Sequence, residues 1–77
     1  MTEISAAAII GCLRKVLNVE IAESTDIFSA GVDSLTVLRC RALLKEQTGI
    51  KVPGHVFFGG RTPARIAELI GAENAGR

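Results

Sequence analysis

Apolar residues recur at spacings of three and four near the start of the chain. Ala6, Ile9, Ile10, Leu13, Val16 and Leu17 fall within an arc of roughly 120° when each residue is advanced by about 100°, with Lys15 opposite. The pattern predicts a first helix over 2–17 with one buried face, and it leaves Ile4 off the arc in a frayed start. The periodicity then stops. Residues 18–33 carry Glu20, Glu23, Asp26 and Asp33, with Val19, Ile21, Ile27, Phe28 and Val32 as the large apolar anchors of a long, pinned loop. A second helix is predicted from Ser34 to about Thr48, with Asp33 as N-cap and Gly49 as its left-handed stop. Its wheel carries two apolar stripes. Val37, Cys40 and Leu44 cluster within about 60° and read as core, while Leu35, Leu38 and Ala42 lie roughly opposite, flanked by Arg39 and Lys45. A helix in so small a domain seldom buries both sides, so the second stripe is a candidate docking surface.

After Gly49, residues 50–58 are too interrupted by Pro53 and Gly54 for a long helix and read as a loop with one short helical turn, ended by Gly59-Gly60. Thr62 and Pro63 form a cap and first turn for a last helix carrying Ile66, Leu69 and Ile70 up to Gly71. The expectation is one all-α domain over 1–77, with a core of about 4–71 and a frayed tail over 72–77. Seventy-seven residues hold no second domain, and a hydrophobic fraction of 48% supports a packed core. The longest charge-free apolar stretch, 4–13, is short of the ~20 residues that span a bilayer, and the start lacks a basic lead, so neither a membrane segment nor a secretory leader is expected. A cytoplasmic location follows as an expectation.

Charge alters little. Nine basic and eight acidic residues leave a net charge of +1, too balanced for the electrostatic footprint of nucleic-acid or anionic-membrane binding. Cys12 and Cys40 sit in two predicted helices with no metal-ligand spacing around them, and both are expected as reduced core thiols. One histidine and two separated cysteines make no metal cluster. A serine hydrolase needs a base and an orienting group, yet His55 is the single histidine and no Gly-x-Ser-x-Gly elbow surrounds Ser34. No catalytic residue is assigned, and His55 is expected at the surface. Ser34 does occupy a predicted helix N-terminus, where exposed amides and the helix dipole favour a phosphate ester. By itself that position is also what an ordinary helix cap provides.

The run Gly31-Val32-Asp33-Ser34-Leu35 resembles the Gly-x-Asp-Ser-Leu motif of the phosphopantetheine-dependent acyl and peptidyl carrier proteins. The likeness extends over about 9–70, with Phe28 before the motif, Gly49 after the second helix and Thr62-Pro63 opening the last one. It implies a four-helix carrier bundle with a long first loop and a short third helix. It further implies that Ser34, flanked by Asp33 and Leu35, receives the 4′-phosphopantetheine arm of coenzyme A from a phosphopantetheinyl transferase, whose own site holds the magnesium. The carrier is then a substrate and not an enzyme. Its arm holds acyl or aminoacyl groups as thioesters for an adenylating ligase or acyltransferase and for later condensing or tailoring enzymes of nonribosomal peptide or polyketide synthesis. The expected partner surface is Leu35, Leu38, Arg39, Ala42, Val56, Phe57 and Gly60 on a monomer, with Phe58 assigned to the core. Arg39, Arg41 and Lys45 depart from the acidic second helix of fatty-acid carriers, and Leu38-Arg39 tilts the resemblance towards peptidyl carriers of secondary metabolism. The rival expectation is an unmodified helical protein-interaction module in which Ser34 only helps to cap its helix.

Overall fold

Ser5 decides where the first helix begins. Its backbone is extended and its Oγ accepts from the Ala8 amide at 3.2 Å, so α1 runs over Ala6–Leu17 in a computed structural model that describes residues 4–75. The cap places Ile4 and Ile9 at the two positions of a hydrophobic staple, and both are buried in one cluster. Ile4 is thus a core residue and not part of a frayed start, while Thr2 lies outside the described residues. The buried stripe of α1 is Ile9, Cys12 and Leu13, with Ile10, Val16 and Leu17 half-buried beside it. Asn18, left-handed at φ 57°, ends the helix by donating its amide to the Arg14 carbonyl at 2.7 Å.

The loop that follows is held at both flanks. Ile21, Ile27 and Val32 enter the core, whereas Val19 is exposed. Asp26 Oδ1 accepts from the amides of Phe28 and Ser29, and the Val32 amide returns to the Ile27 carbonyl at 3.0 Å. α2 then spans Ser34–Thr48 and closes at Gly49, whose φ of 77° suits a residue without Cβ. α3 takes His55–Gly60, so Gly59 and Gly60 lie inside the short helix and the left-handed Arg61 ends it. α4 runs over Pro63–Ala75: Thr62 Oγ1 accepts from the Arg65 amide, and Gly71 does not stop the helix. The frayed tail expected from 72 is helical as far as Ala75, and the last two positions lie outside the described residues.

α1 packs on α2 and α4, and α3 packs on α4, in a molecule with a radius of gyration of 11.1 Å. Phe57, Ile9, Leu13, Ile27, Leu44 and Ile66 form the fully buried centre. Four helices and no strand are present among the described residues, which is the small all-α bundle the pattern implied. No described helix is long and apolar enough to cross a membrane.

Candidate functional site

The loop reaches its narrowest chemistry at Gly31, which takes φ 111° and donates its amide to the Phe28 carbonyl at 3.2 Å. Val32 then turns into the core, Asp33 stays extended at φ −128°, and Ser34 becomes the first helical residue. The Asp33 carboxylate accepts from both the amide and the hydroxyl of Thr36, each at 2.8 Å. Those bonds, the amide first, hold its pKa below the ordinary aspartate value and keep it ionised. Its charge is directed at Thr36, which leaves the neighbouring serine hydroxyl exposed at the positive end of a fifteen-residue helix. Thr36 is a partner of the cap that periodicity alone does not single out; the Asp-x-x-Thr spacing of a capping pair is the signal that marks it.

Down the same helix the two stripes separate as the wheel requires. Val37, Cys40 and Leu44 are at most 3% exposed, while Leu35 and Leu38 are 57% and 56% exposed, with Arg39 and Ala42 also at the surface. Covering what is still exposed of one such leucine is worth about 1–1.5 kcal/mol, which is enough for this stripe to matter in a transient complex. Arg41 reaches the next segment by donating Nε to the Val52 carbonyl at 2.7 Å, so the lower half of α2 is tied to the chain before α3.

The α3 contribution differs from the sequence expectation. Val56 and Phe57 are 1% and 0% exposed and pack in the core, so they are removed from the docking surface. Gly60 is half-buried: a Cβ there would sit 2.8 Å from the Ile66 amide nitrogen, which makes it a close-packing position between α3 and α4. Phe58 moves the other way, from expected core to 49% exposed. A helix of under two turns that buries positions 56 and 57 must turn position 58 outward. Phe58 stacks on Phe28 with centroids 5.2 Å apart and planes 16° apart, and the Arg61 guanidinium lies over Phe28 at 5.2 Å. Arg61 also donates Nε and Nη2 to Asp26 Oδ2 at 3.1 and 2.9 Å, and this bond leads the forces that lower the Asp26 pKa.

The remaining candidate groups lie apart from Ser34. His55 is exposed and sits 3.0 Å from Glu73 on α4. Cys12 and Cys40 are free and buried; burial raises both pKa values, that of Cys40 to about 12. Among the described residues no three potential ligands gather into a metal site.

A helical bundle that offers an exposed hydroxyl on a capped helix, beside an uncovered apolar stripe, has the form of a scaffold on which a group is mounted and presented. The family model for the phosphopantetheine attachment site matches residues 7–70, and the chain belongs to that family. Its covalent group is 4′-phosphopantetheine, and carrier domains of this kind are generally non-catalytic and serve biosynthesis. Residues of this chain are also 44% identical over 43 residues to a type I polyketide synthase of phenolphthiocerol synthesis, Pks15/1, from Mycobacterium marinum. That match covers 56% of this chain and 2% of the synthase.

The residues fit such a group. A phosphodiester on Ser34 would meet the amides and dipole of the α2 N-terminus, while Asp33 is already engaged by Thr36. Bound there, the arm would supply a terminal thiol able to hold a carried group as a thioester.

Proposed function

We propose that Ser34 carries the 4′-phosphopantetheine arm and that the protein holds acyl intermediates for enzymes of polyketide assembly. The observation that carries the site is an exposed serine at the first position of α2, immediately after the Asp33 cap. In the loading step the Ser34 oxygen attacks the phosphorus of coenzyme A that bears the pantetheine. The phosphoanhydride breaks, 3′,5′-adenosine bisphosphate leaves, and the serine proton passes to a base of the transferase, where magnesium also resides. Asp33 and Leu35 hold the serine in place and mark it for that enzyme. This chain contributes the nucleophile and its presentation; the catalytic groups belong to the partner.

The acyl assignment, in preference to the aminoacyl cargo towards which Leu38-Arg39 leans, is supported by the similarity to the Mycobacterium marinum polyketide synthase. Partners are then the transferase, an acyltransferase that loads the thiol, and condensing or tailoring domains, all working in the cytoplasm on a monomeric carrier. Leu35, Leu38, Arg39 and Ala42 form the surface they share. Tethering raises the effective concentration of the intermediate at each docked site without a new binding contact.

Intact mass measurement after incubation with coenzyme A, magnesium and a broad-specificity transferase tests the assignment. The wild type is expected to gain one phosphopantetheinyl group and Ser34→Ala none. An unmodified wild type would return the chain to the interaction-module reading, and a gain that persists in the variant would move the site. Acyl transfer from acyl-coenzyme A, set against adenylate-driven aminoacyl transfer, then separates the two cargo classes.

A further inference from the structure

The charge of this protein is balanced in sum but not in place. Of nine Lys and Arg residues, Arg14, Arg61 and Arg65 pair with Glu20, Asp26 and Glu68. Lys15, Arg39, Arg41, Lys45 and Lys51 have no carboxylate partner among the described residues, and all five gather about the exposed side of α2. Ala42 is the ridge between two shallow grooves. One, of about 200 Å³, is lined by Leu38, Arg41, Ala42, Lys45, Lys51 and Val52. The other is lined by Lys15, Val16, Arg39, Ala42 and Leu43. Each groove has an apolar floor beside cations that project from two different segments of the chain. Glu46 is the carboxylate of this sector, one turn below Ala42, and Asp33 at the top is held by Thr36.

Resting on the reading of α2 as the docking face, we infer that the enzyme domain acylating this carrier meets it with an apolar socket rimmed by Asp and Glu side chains on both sides. One carboxylate cluster faces Lys15 and Arg39; the other faces Arg41, Lys45 and Lys51. The exposed leucines decide for a folded protein over a nucleic acid, because a phosphate backbone offers nothing to cover Leu35 and Leu38, and a net charge of +1 draws no polyanion from a distance. Such rim charges act chiefly on the association rate and its salt dependence, while the leucines hold the complex once formed.

The test uses the protein after its arm has been installed and verified by mass, so a failure of the carrier reading shows there and not in the next step. Acyl transfer from acyl-coenzyme A is followed with two acyltransferases, one with a carboxylate-rich carrier-facing surface and one with a lysine-rich surface. With the first, Arg39→Glu/Lys45→Glu is expected to lower kcat/KM at low salt by about tenfold or more. The wild-type rate is expected to fall as salt is raised, and the variant's to change little. With the second enzyme the same variant is expected to gain. Unchanged rates with the carboxylate-rich enzyme, or a preference of the wild type for the lysine-rich one, overturn the inference while leaving the attachment site intact. Binding of a fluorescent DNA duplex at physiological salt, lost in the variant, would also overturn it by assigning the cations to phosphate.

Discussion

Replacing Gly60 by alanine tests the close approach of α3 to α4. A Cβ at this position lies 2.8 Å from Ile66 Cγ1, 2.8 Å from the Ile66 amide nitrogen and 3.0 Å from its Cα. The Ile66 side chain could turn away at modest cost, but the backbone atoms belong to the first turns of α4, where the amide donates to the Thr62 carbonyl at 2.8 Å. Relief therefore requires α3 and α4 to separate by several tenths of an ångström, which opens the seam around Phe57. Overpacking of this kind costs about 1–3 kcal/mol. For a chain of this length, at about 4–8 °C per kcal/mol, that is a fall in Tm of about 4–24 °C by thermal circular dichroism. Gly59 supplies the internal control. A Cβ there meets only Leu69 Cδ1 at 3.7 Å, an ordinary contact, so Gly59→Ala should be neutral or slightly stabilising through its better helix propensity. Equal Tm values for the two variants would refute the close-packing account of Gly60. A Gly60→Ala protein of native stability that loads poorly would return this residue to the docking surface.

Three further outcomes follow from the same structure. Phe57→Ala should cost about 3–5 kcal/mol and Phe58→Ala only about 0.5–1.5 kcal/mol in chemical denaturation, because one ring is buried and the other rests on Phe28 in partial contact with water; equal losses would reject the outward placement of Phe58. Asp26 and Asp33 have folded-state pKa values below the ordinary aspartate value, so the stability they contribute is present above the unfolded pKa of about 3.9 and is lost as pH falls through their folded values. The Tm of Asp26→Asn/Asp33→Asn should therefore fall less than that of the wild type between pH 5 and pH 2, and parallel curves would contradict it. With the Cys40 thiol pushed to about 12 and Cys12 also raised, neither should react with an aromatic disulfide reagent at pH 8 faster than the protein unfolds; rapid release of the reporter in the native state would show that the thiols are accessible.

α2 was legible in full because every signal in it is local. Asp33 and Gly49 mark its ends, and polar residues between its apolar ones fix which side each faces. α3 gave no such purchase: His55-Val56-Phe57-Phe58-Gly59-Gly60 holds three consecutive large apolar residues in under two turns, with nothing polar among them to orient the run. Which two enter the core depends on where α4 lies, and sequence periodicity carries no such information. Ile4 was misplaced for a similar reason, since a residue before the cap packs by chain direction and not by helical phase. Local propensity marks Gly71 as a stop, which the packing of Ile66 and Ile70 on the remainder of the fold outweighs. The exposure of Ser34, Leu35 and Leu38 on α2 is visible in the sequence. The cation arrangement was visible only in part, because Lys15 and Lys51 join Arg39, Arg41 and Lys45 through tertiary packing.

The loop before Ser34 is bonded to the junction between α3 and α4, which is distant from it in sequence. The Ile27 amide donates to the Arg61 carbonyl at 2.8 Å, and the Ala64 amide donates to the Glu23 carbonyl at 3.1 Å, so hydrogen bonds run in both directions between this loop and the α3–α4 junction. In hydrogen exchange these two amides should open together, with the protection of the helices and not that of a surface loop. The loop that leads into Ser34 thus takes its bearings from residues at the start of the last helix. A substitution at the α3–α4 corner can therefore shift Ser34 without touching the run from Gly31 to Leu35.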